Sequence, residues 1–432
     1  MNHALARPIT EPRAPSQPPD AAMTVLWLIL GVCGWVFMGS LFLDAMRPSA
    51  NRVNDFYQDW GSARNHQVGV AIYSHHGVSI PRHLGIAFDP AAGVDYNAHP
   101  PTTVLLTLPF AALDYRDAVL AWNSLSLTAF LISLLITARI LTAPAWLWTP
   151  VLAVLPFCHP LYGSLFQGQL TLILVFLVTA TWALDRSGRS DLAAIVLGTA
   201  AAIKLFPAFL LLIPAAQGRI RPILVTLATF LGLSALAAWI LGVDAYRDYF
   251  QIVLPAQTRF RSLGYNYAIA GLWHKLFDPA GEHGLTTALL VSPATAQLGT
   301  LCTDLAITLL AFLTLRNARD VHESDRAFGV VVTAMLLVSP VTWDASLPLL
   351  MTPVAILAAA VGASPRWRWM LIGNLAVVWM PQQLLTRAAL LNHATPVATW
   401  AFMMGAPSIK TYALIAIFAL GVTSARWKSA SE

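Results

Sequence analysis

Apolar residues run through this chain in stretches of bilayer-crossing length, with polar residues gathered between them. A spanning helix needs about 20 predominantly apolar residues. The first stretch, residues 23–46, meets that length and is too long for a signal-peptide core. Later ones, such as Leu192–Pro214 and Pro222–Leu241, do not alternate apolar and polar positions as barrel strands do. The pattern predicts an all-α polytopic membrane protein of about 10–12 membrane helices, some of them broken or re-entrant.

Basic residues orient the bundle, because Lys and Arg concentrate on the cytoplasmic side. Arg7 and Arg13 lie in a proline-rich stretch, residues 1–22, read as a disordered cytoplasmic tail. The first span then exits outward, and two long polar segments, 47–101 and 243–297, become extracytoplasmic loops of one membrane domain, 23–428. The first loop carries Asp55, Asp59, Asp89 and Asp95. Thr102–Leu113 is expected to return inward, with Asp114–Asp117 as an inner turn and Ala118–Ala138 going out again. Arg426 and Lys428 finish inside, so both termini are expected in the cytoplasm.

Two apolar runs are interrupted. Leu192–Pro214 is broken at Lys204-Leu205-Phe206-Pro207 and lies between two basic pairs, Arg186/Arg189 and Arg219/Arg221. One crossing would put a pair on the wrong side, whereas two half-helices hinged at the break keep both inside. Trp146–Gln167, broken at Pro156–Pro160, takes the same reading, entering from the far side. Full spans are the other reading of both runs. Irregular backbone at membrane depth is tolerated only where it lines protein or a watery cavity, so both breaks point at a site.

Composition agrees: 57% of residues are hydrophobic, 11% are charged, and mean hydropathy is +0.63. Soluble domains carry about 25% charged residues, so lipid is the expected solvent and partner. Net charge is +5, without a basic, aromatic-interleaved stretch that would suit nucleic acid. Cys33, Cys158 and Cys302 fit no zinc or disulfide spacing. His75, His76 and His83 lack the spacing of a helical metal pair and are read as solvent-facing loop histidines. Neither a metal nor a cofactor is expected. With no glycine-rich phosphate loop ahead of a helix, any sugar donor should be lipid-linked rather than a nucleotide.

Five places could carry chemistry. Asp55 and Asp59 stand four residues apart just beyond the first span, on one helical face beside Phe56, Tyr57 and Trp60. A carboxylate there can have a raised pKa and serve as a general base, or the segment is an amphipathic surface helix. His99 precedes Pro100-Pro101, a helix start that could face the same cavity. Gln169, in Gln167-Gly168-Gln169, needs a partner or a ligand at membrane depth. Lys204 is the one charge in its apolar run, and intramembrane charges are functional by default; a phosphate is the obvious counter-ion. Arg259, Arg261, Asn266, His274 and Lys275 share the second loop with Tyr265, Tyr267 and Trp273, which suits a lipid phosphate, a sugar or interface anchoring.

In order, these elements resemble glycosyltransferase family 87 over roughly residues 50–345. The series runs Asp55-Phe56-Tyr57, Ile72-Tyr73, His99-Pro100-Pro101, Gly168-Gln169-Leu170-Thr171, Lys204-Leu205-Phe206-Pro207, Asn266, and Ser339-Pro340-Val341-Thr342-Trp343. The resemblance implies a GT-C fold and an inverting transferase. Its donor would be a polyprenyl-phosphate sugar, often mannose, and its acceptor a lipid or glycan outside the cytoplasmic membrane. Asp55 would be the catalytic base, with Asp59, His99 or Asp344 in support. Lys204, Gln169 and the polar residues of the second loop would hold the donor. The sequence departs from the pattern at His99, at Thr171, and at Asp344-Ala345-Ser346, where family members often carry histidine. A transporter or flippase using Lys204 as a charge site is the alternative.

Overall fold

The computed structural model describes residues 21–49, 52–88, 95–142, 148–278, 290–361, 365–387 and 404–424. Residues 1–20 of the expected tail, Asp89, Arg426 and Lys428 lie outside the described residues. Among those described, all regular structure is helical. The first eleven α-helices are α1 (Ala21–Met46), α2 (Phe56–Gln67), α3 (His76–Leu84), α4 (Pro101–Thr107), α5 (Tyr115–Ile140), α6 (Trp148–Val154), α7 (His159–Gln167), α8 (Thr171–Arg186), α9 (Ser190–Ile203), α10 (Leu212–Ala216) and α11 (Ile220–Leu241).

Among the described residues, four helices are long and apolar enough to cross a membrane: α1, α5, α11 and Pro293–Arg316. The pair Trp148–Phe157 and His159–Gln167, bent by 59°, makes a fifth when taken as one span. Several remaining apolar runs form helices of 10–17 residues, among them Pro101–Ala112 and Ile409–Thr423. Prolines and isolated polar residues interrupt the helical ladder in these shorter runs. The spanning helices leave much of their apolar surface outward, as lipid-facing helices do: Leu227, Leu231, Trp239, Leu298, Leu305 and Leu309 are all exposed.

Contacts between helices fix the path of the chain. The bent pair follows α1 in register. A Cβ added at Gly31 would stand 3.1 Å from Ala153, one at Gly34 would strike Phe157, and Phe42 packs on Tyr162 with ring centroids 5.7 Å apart. Farther along, Asn123 Nδ2 donates to both Ala45 and Leu165 carbonyls, at 3.0 and 2.9 Å. Contact positions therefore advance together along the two elements. The run expected to re-enter from the far side is instead a broken crossing, parallel to α1.

The direction of α5 is corrected as well. Its first turn sits where α1 ends: Arg47 pairs with Asp117 at 2.7 Å, Arg116 donates to the Pro48 carbonyl at 2.9 Å, and the Asn54 backbone N–H donates to Tyr115 Oη at 3.0 Å. Asp114–Asp117 is thus at the Asp55 end, not the opposite one. The preceding Pro101–Ala112 does not cross. Its α-turns and short 3₁₀ segment reach about 20 Å, short of a bilayer core of about 30 Å. The two corrections cancel, so α8 begins at the Asp55 end as the sequence predicts.

The hairpin reading of Leu192–Pro214 agrees with the geometry. Arg219 grips Asp185 through both terminal nitrogens, at 2.7 and 2.9 Å, and Arg221 pairs with Asp191 at 2.6 Å. The two basic loops therefore meet at one end. α9 climbs from there to Ile203, the chain turns at Lys204, and a 3₁₀ segment, Phe206–Leu211, starts the descent. The broken ladder leaves carbonyls at the C-terminus of α9 to be satisfied. Thr102 and Thr103 of α4 do this, donating to the carbonyls of Ala202 and, at 2.7 Å, Ile203.

Candidate active site

The first loop is a packed unit. α2 buries Phe56, Tyr57, Gln58, Asp59, Trp60 and most residues after them, so it is not a helix lying on a surface. Phe56 stacks on Trp122 with centroids 5.0 Å apart, and Trp60 leans on Tyr115 at 5.2 Å. Of the loop histidines read as solvent-facing, His76 is buried, His83 is partly buried, and the His75 side chain stays 39% exposed. His76 is buried against Tyr57, His75 accepts from the Gly77 backbone N–H at 2.9 Å, and His83 hydrogen-bonds Asn65 at 2.8 Å.

Asp55 occupies the N-cap position of α2, where an aspartate normally accepts a backbone N–H of the first turn. Its carboxylate makes no such bond. It accepts instead from Gln169 Nε2 at 2.5 Å. Gly168 makes that approach possible. Its φ is +64°, and a Cβ there would stand 2.7 Å from Phe56 Cβ, so glycine is needed for both conformation and space. Trp122 Nε1 fixes the same turn by donating to the Gly168 carbonyl at 2.9 Å. Burial pushes the Asp55 carboxyl above its ordinary value. The Gln169 hydrogen bond, then the charges of His99 and Lys204, oppose that rise, and Asp59 adds to it.

Asp59 and His99 form a buried pair. His99 Nδ1 meets Asp59 Oδ2 at 2.9 Å and Oδ1 at 3.1 Å, and Asn97 Nδ2 also donates to Oδ1 at 3.1 Å. Asp59 is therefore committed to orienting the ring. Lys204, at the tip of the α9 hairpin, interacts electrostatically with Asp59 and Asp55. A cation suits that position, at the negative end of the α9 dipole. Its ammonium has no hydrogen-bond partner among the described residues, and the Phe206 ring lies 5.8 Å away. Four of the predicted residues thus converge with Asp55: Gln169, Asp59, His99 and Lys204.

Asp344 does not join them. Its carboxylate is held by His159 Nδ1 at 2.6 Å and by the fully buried Lys410. The predicted second-loop residues are largely committed to the protein itself. Asn266, fully buried, donates to the carbonyls of Arg261 and Pro340, both at 3.0 Å. Its Oδ1 accepts from the backbone of Ala268 at 3.1 Å and of Thr342 at 3.0 Å. Four bonds saturate the amide and pin the loop to the Ser-Pro-Val-Thr-Trp turn. Lys275 Nζ donates to the Gly264 and Asn266 carbonyls and to Ser408, at 3.3, 3.2 and 3.1 Å. Burial without an anionic partner lowers its pKa to about 7. His274 pairs with Asp278 at 3.0 Å, and burial lowers its pKa despite that neighbour. Asn266 and Lys275 thus have their polar side-chain atoms taken up by the protein itself, whereas the His274 contact with Asp278 uses Nδ1 alone. Arg259 pairs with Asp95 at 3.0 Å near the surface, and Arg261 is partly buried, its backbone carbonyl accepting from Asn266.

The sequence left Asn97, His159 and Lys410 unmarked. Lys410 carried a weaker form of the Lys204 signal, a lone charge at the start of an apolar run rather than inside one. His159 lay in the Pro156–Pro160 break that pointed at a site, but its partner Asp344, 185 positions away, was not readable, and neither was the partner of Asn97, 38 positions away.

The site thus combines a desolvated carboxylate, an ammonium without a bonded counter-ion among the described residues and an oriented imidazole at one end of a helical bundle. No match was found among curated proteins or among solved structures. The profile of glycosyltransferase family 87 matches residues 97–340, a segment that holds His99, Gln169, Lys204 and Asn266 but begins after Asp55. That segment is more than half of the chain, and the protein belongs to glycosyltransferase family 87 as a membrane-embedded glycosyltransferase.

Proposed function

We propose that the protein moves a sugar, mannose in the first instance, from a polyprenyl-phosphate carrier to a lipid or glycan acceptor outside the cytoplasmic membrane, with inversion. One observation carries the reading. A carboxylate that caps no N–H of its own helix interacts electrostatically with an ammonium that has no hydrogen-bonded anion among the described residues. Such an ammonium, at the mouth of an apolar bundle, suits a phosphate carried on a lipid. Asp55 takes the proton of the acceptor hydroxyl. The freed oxygen bonds to the anomeric carbon from the face opposite the phosphate. The carbon–oxygen bond to phosphate breaks, and polyprenyl phosphate departs as a dianion whose growing charge Lys204 stabilises. Phosphate is a good leaving group, so no acid partner is required. Family membership sets aside the transporter or flippase reading.

The test is transfer from radiolabelled polyprenyl-phosphate mannose into membrane lipid acceptors, with the polyprenyl-phosphate glucose donor in parallel. Wild type should form product of inverted configuration, and Asp55→Asn should form none while remaining folded. Undiminished transfer by Asp55→Asn removes Asp55 from the mechanism. Transfer from glucose alone replaces mannose as the sugar.

A further inference from the structure

We infer that His99 is the second grip on the donor phosphate, opposite Lys204, with Asp59 and Asn97 as the residues that position it. The inference rests on the lipid-phosphate reading above and adds a binding group to it.

The segment bearing His99 is held from several sides. The His99 backbone N–H donates to Asn97 Oδ1 at 2.9 Å, and its carbonyl accepts from Tyr73 Oη at 2.7 Å. One residue earlier, the Ala98 N–H donates to Gln58 Oε1 at 2.9 Å and the Ala98 carbonyl accepts from Gln257 Nε2 at 2.5 Å. With Nδ1 committed to Asp59, the ring has Nε2 left for a ligand. Thr102 and Thr103, three and four residues after His99, hold the carbonyls of Ala202 and Ile203, immediately before Lys204. The same interlock therefore sets where the imidazole and the ammonium stand relative to each other. Both act electrostatically on Asp55. A phosphate oxygen at Nε2 would meet the ring on the side away from Asp59 and take a hydrogen bond there. Asp59 lies behind the ring, so it orients the grip without competing for the phosphate.

The experiment uses the full chain in detergent with farnesyl phosphate as probe, farnesol as the tail-only control and inorganic phosphate as the head-only control. Wild type should bind farnesyl phosphate and not farnesol. His99→Gln should weaken that binding about tenfold, the loss of one charge-assisted bond, and raise the donor KM by a similar factor. His99→Lys, which restores the cation, should recover most of both. Asp59→Asn, which releases the ring, should fall between His99→Gln and wild type. Unchanged farnesyl phosphate affinity in a folded His99→Gln overturns the assignment. So does a fall in kcat alone that His99→Lys does not repair, which would make the ring a proton carrier. Wild-type binding of farnesol as tight as of farnesyl phosphate, or of inorganic phosphate alone, would overturn the lipid-phosphate reading together with it.

Discussion

Gln169 Nε2 meets Asp55 Oδ2 at 2.5 Å, joining the segment that follows α1 to the turn between α7 and α8. The bond favours the ionised carboxylate, so it works against the burial that raises the Asp55 pKa. Its loss should show in the pH dependence of transfer.

Gln169→Ala removes that stabilisation, and the Asp55 pKa should rise further. A base must be deprotonated to act, so the acidic limb of kcat/KM should move to higher pH by up to about one unit. Activity well above the limb should fall less than activity at neutral pH. Profiles for the two proteins that superimpose would show that the bond does not tune the base.

Asp55 should also cost stability where it is ionised. A carboxyl whose folded-state pKa lies above its ordinary value of 3.8 binds more protons folded than unfolded between those two values. Stability from this group is therefore full below pH 3.8 and declines as pH rises through the folded-state pKa. Asp55→Asn removes the penalty. At pH 7 the variant should melt above wild type while being inactive, and the gap should close as the pH approaches 4. A lower Tm at pH 7 would contradict the desolvation of this carboxylate.

Much of this organisation was legible in the chain. The hairpin at Lys204 was readable because one charge and one proline interrupt an apolar run flanked by two basic pairs. The path from residue 102 to 140 was not. Arg116 sits between Asp114 and Asp117, so the local charge gives no sidedness, and the apolar length of 102–113 imitates a span. Asp55 was readable as a carboxylate among aromatics at a span end. Its neighbours were harder, because the Asp59–His99 pair joins positions 40 apart with no periodicity to announce it. Asn266 carried a motif whose purpose, pinning Pro340 and Thr342, depends on contacts 74 and 76 positions away.

The corrected path is open to cysteine labelling. In a background lacking Cys33, Cys158 and Cys302, Ser187→Cys and Gly218→Cys should react with an impermeant reagent from the same side. Asp117→Cys should react only from the other. Labelling of all three from one side would restore Pro101–Ala112 as a crossing and undo the assignment of Trp148–Gln167.

The Asp344–Lys410 pair offers a test of how the site is braced. Lys410 is fully buried, and removing one member of a buried pair typically costs about 3–5 kcal/mol, because the other charge stays behind unpaired. Lys410→Met and Asp344→Asn should each lower Tm, and the double variant should recover part of the loss. Asp344 stands directly after Trp343, whose ring packs against Tyr265 at 5.1 Å, and Tyr265 in turn feels the charge of Asp55. A brace released at Asp344 should therefore reduce transfer through the placement of Trp343, and the double variant should regain stability more fully than activity. Equal recovery of both would mean that the pair contributes stability alone and that Trp343 keeps its place without it.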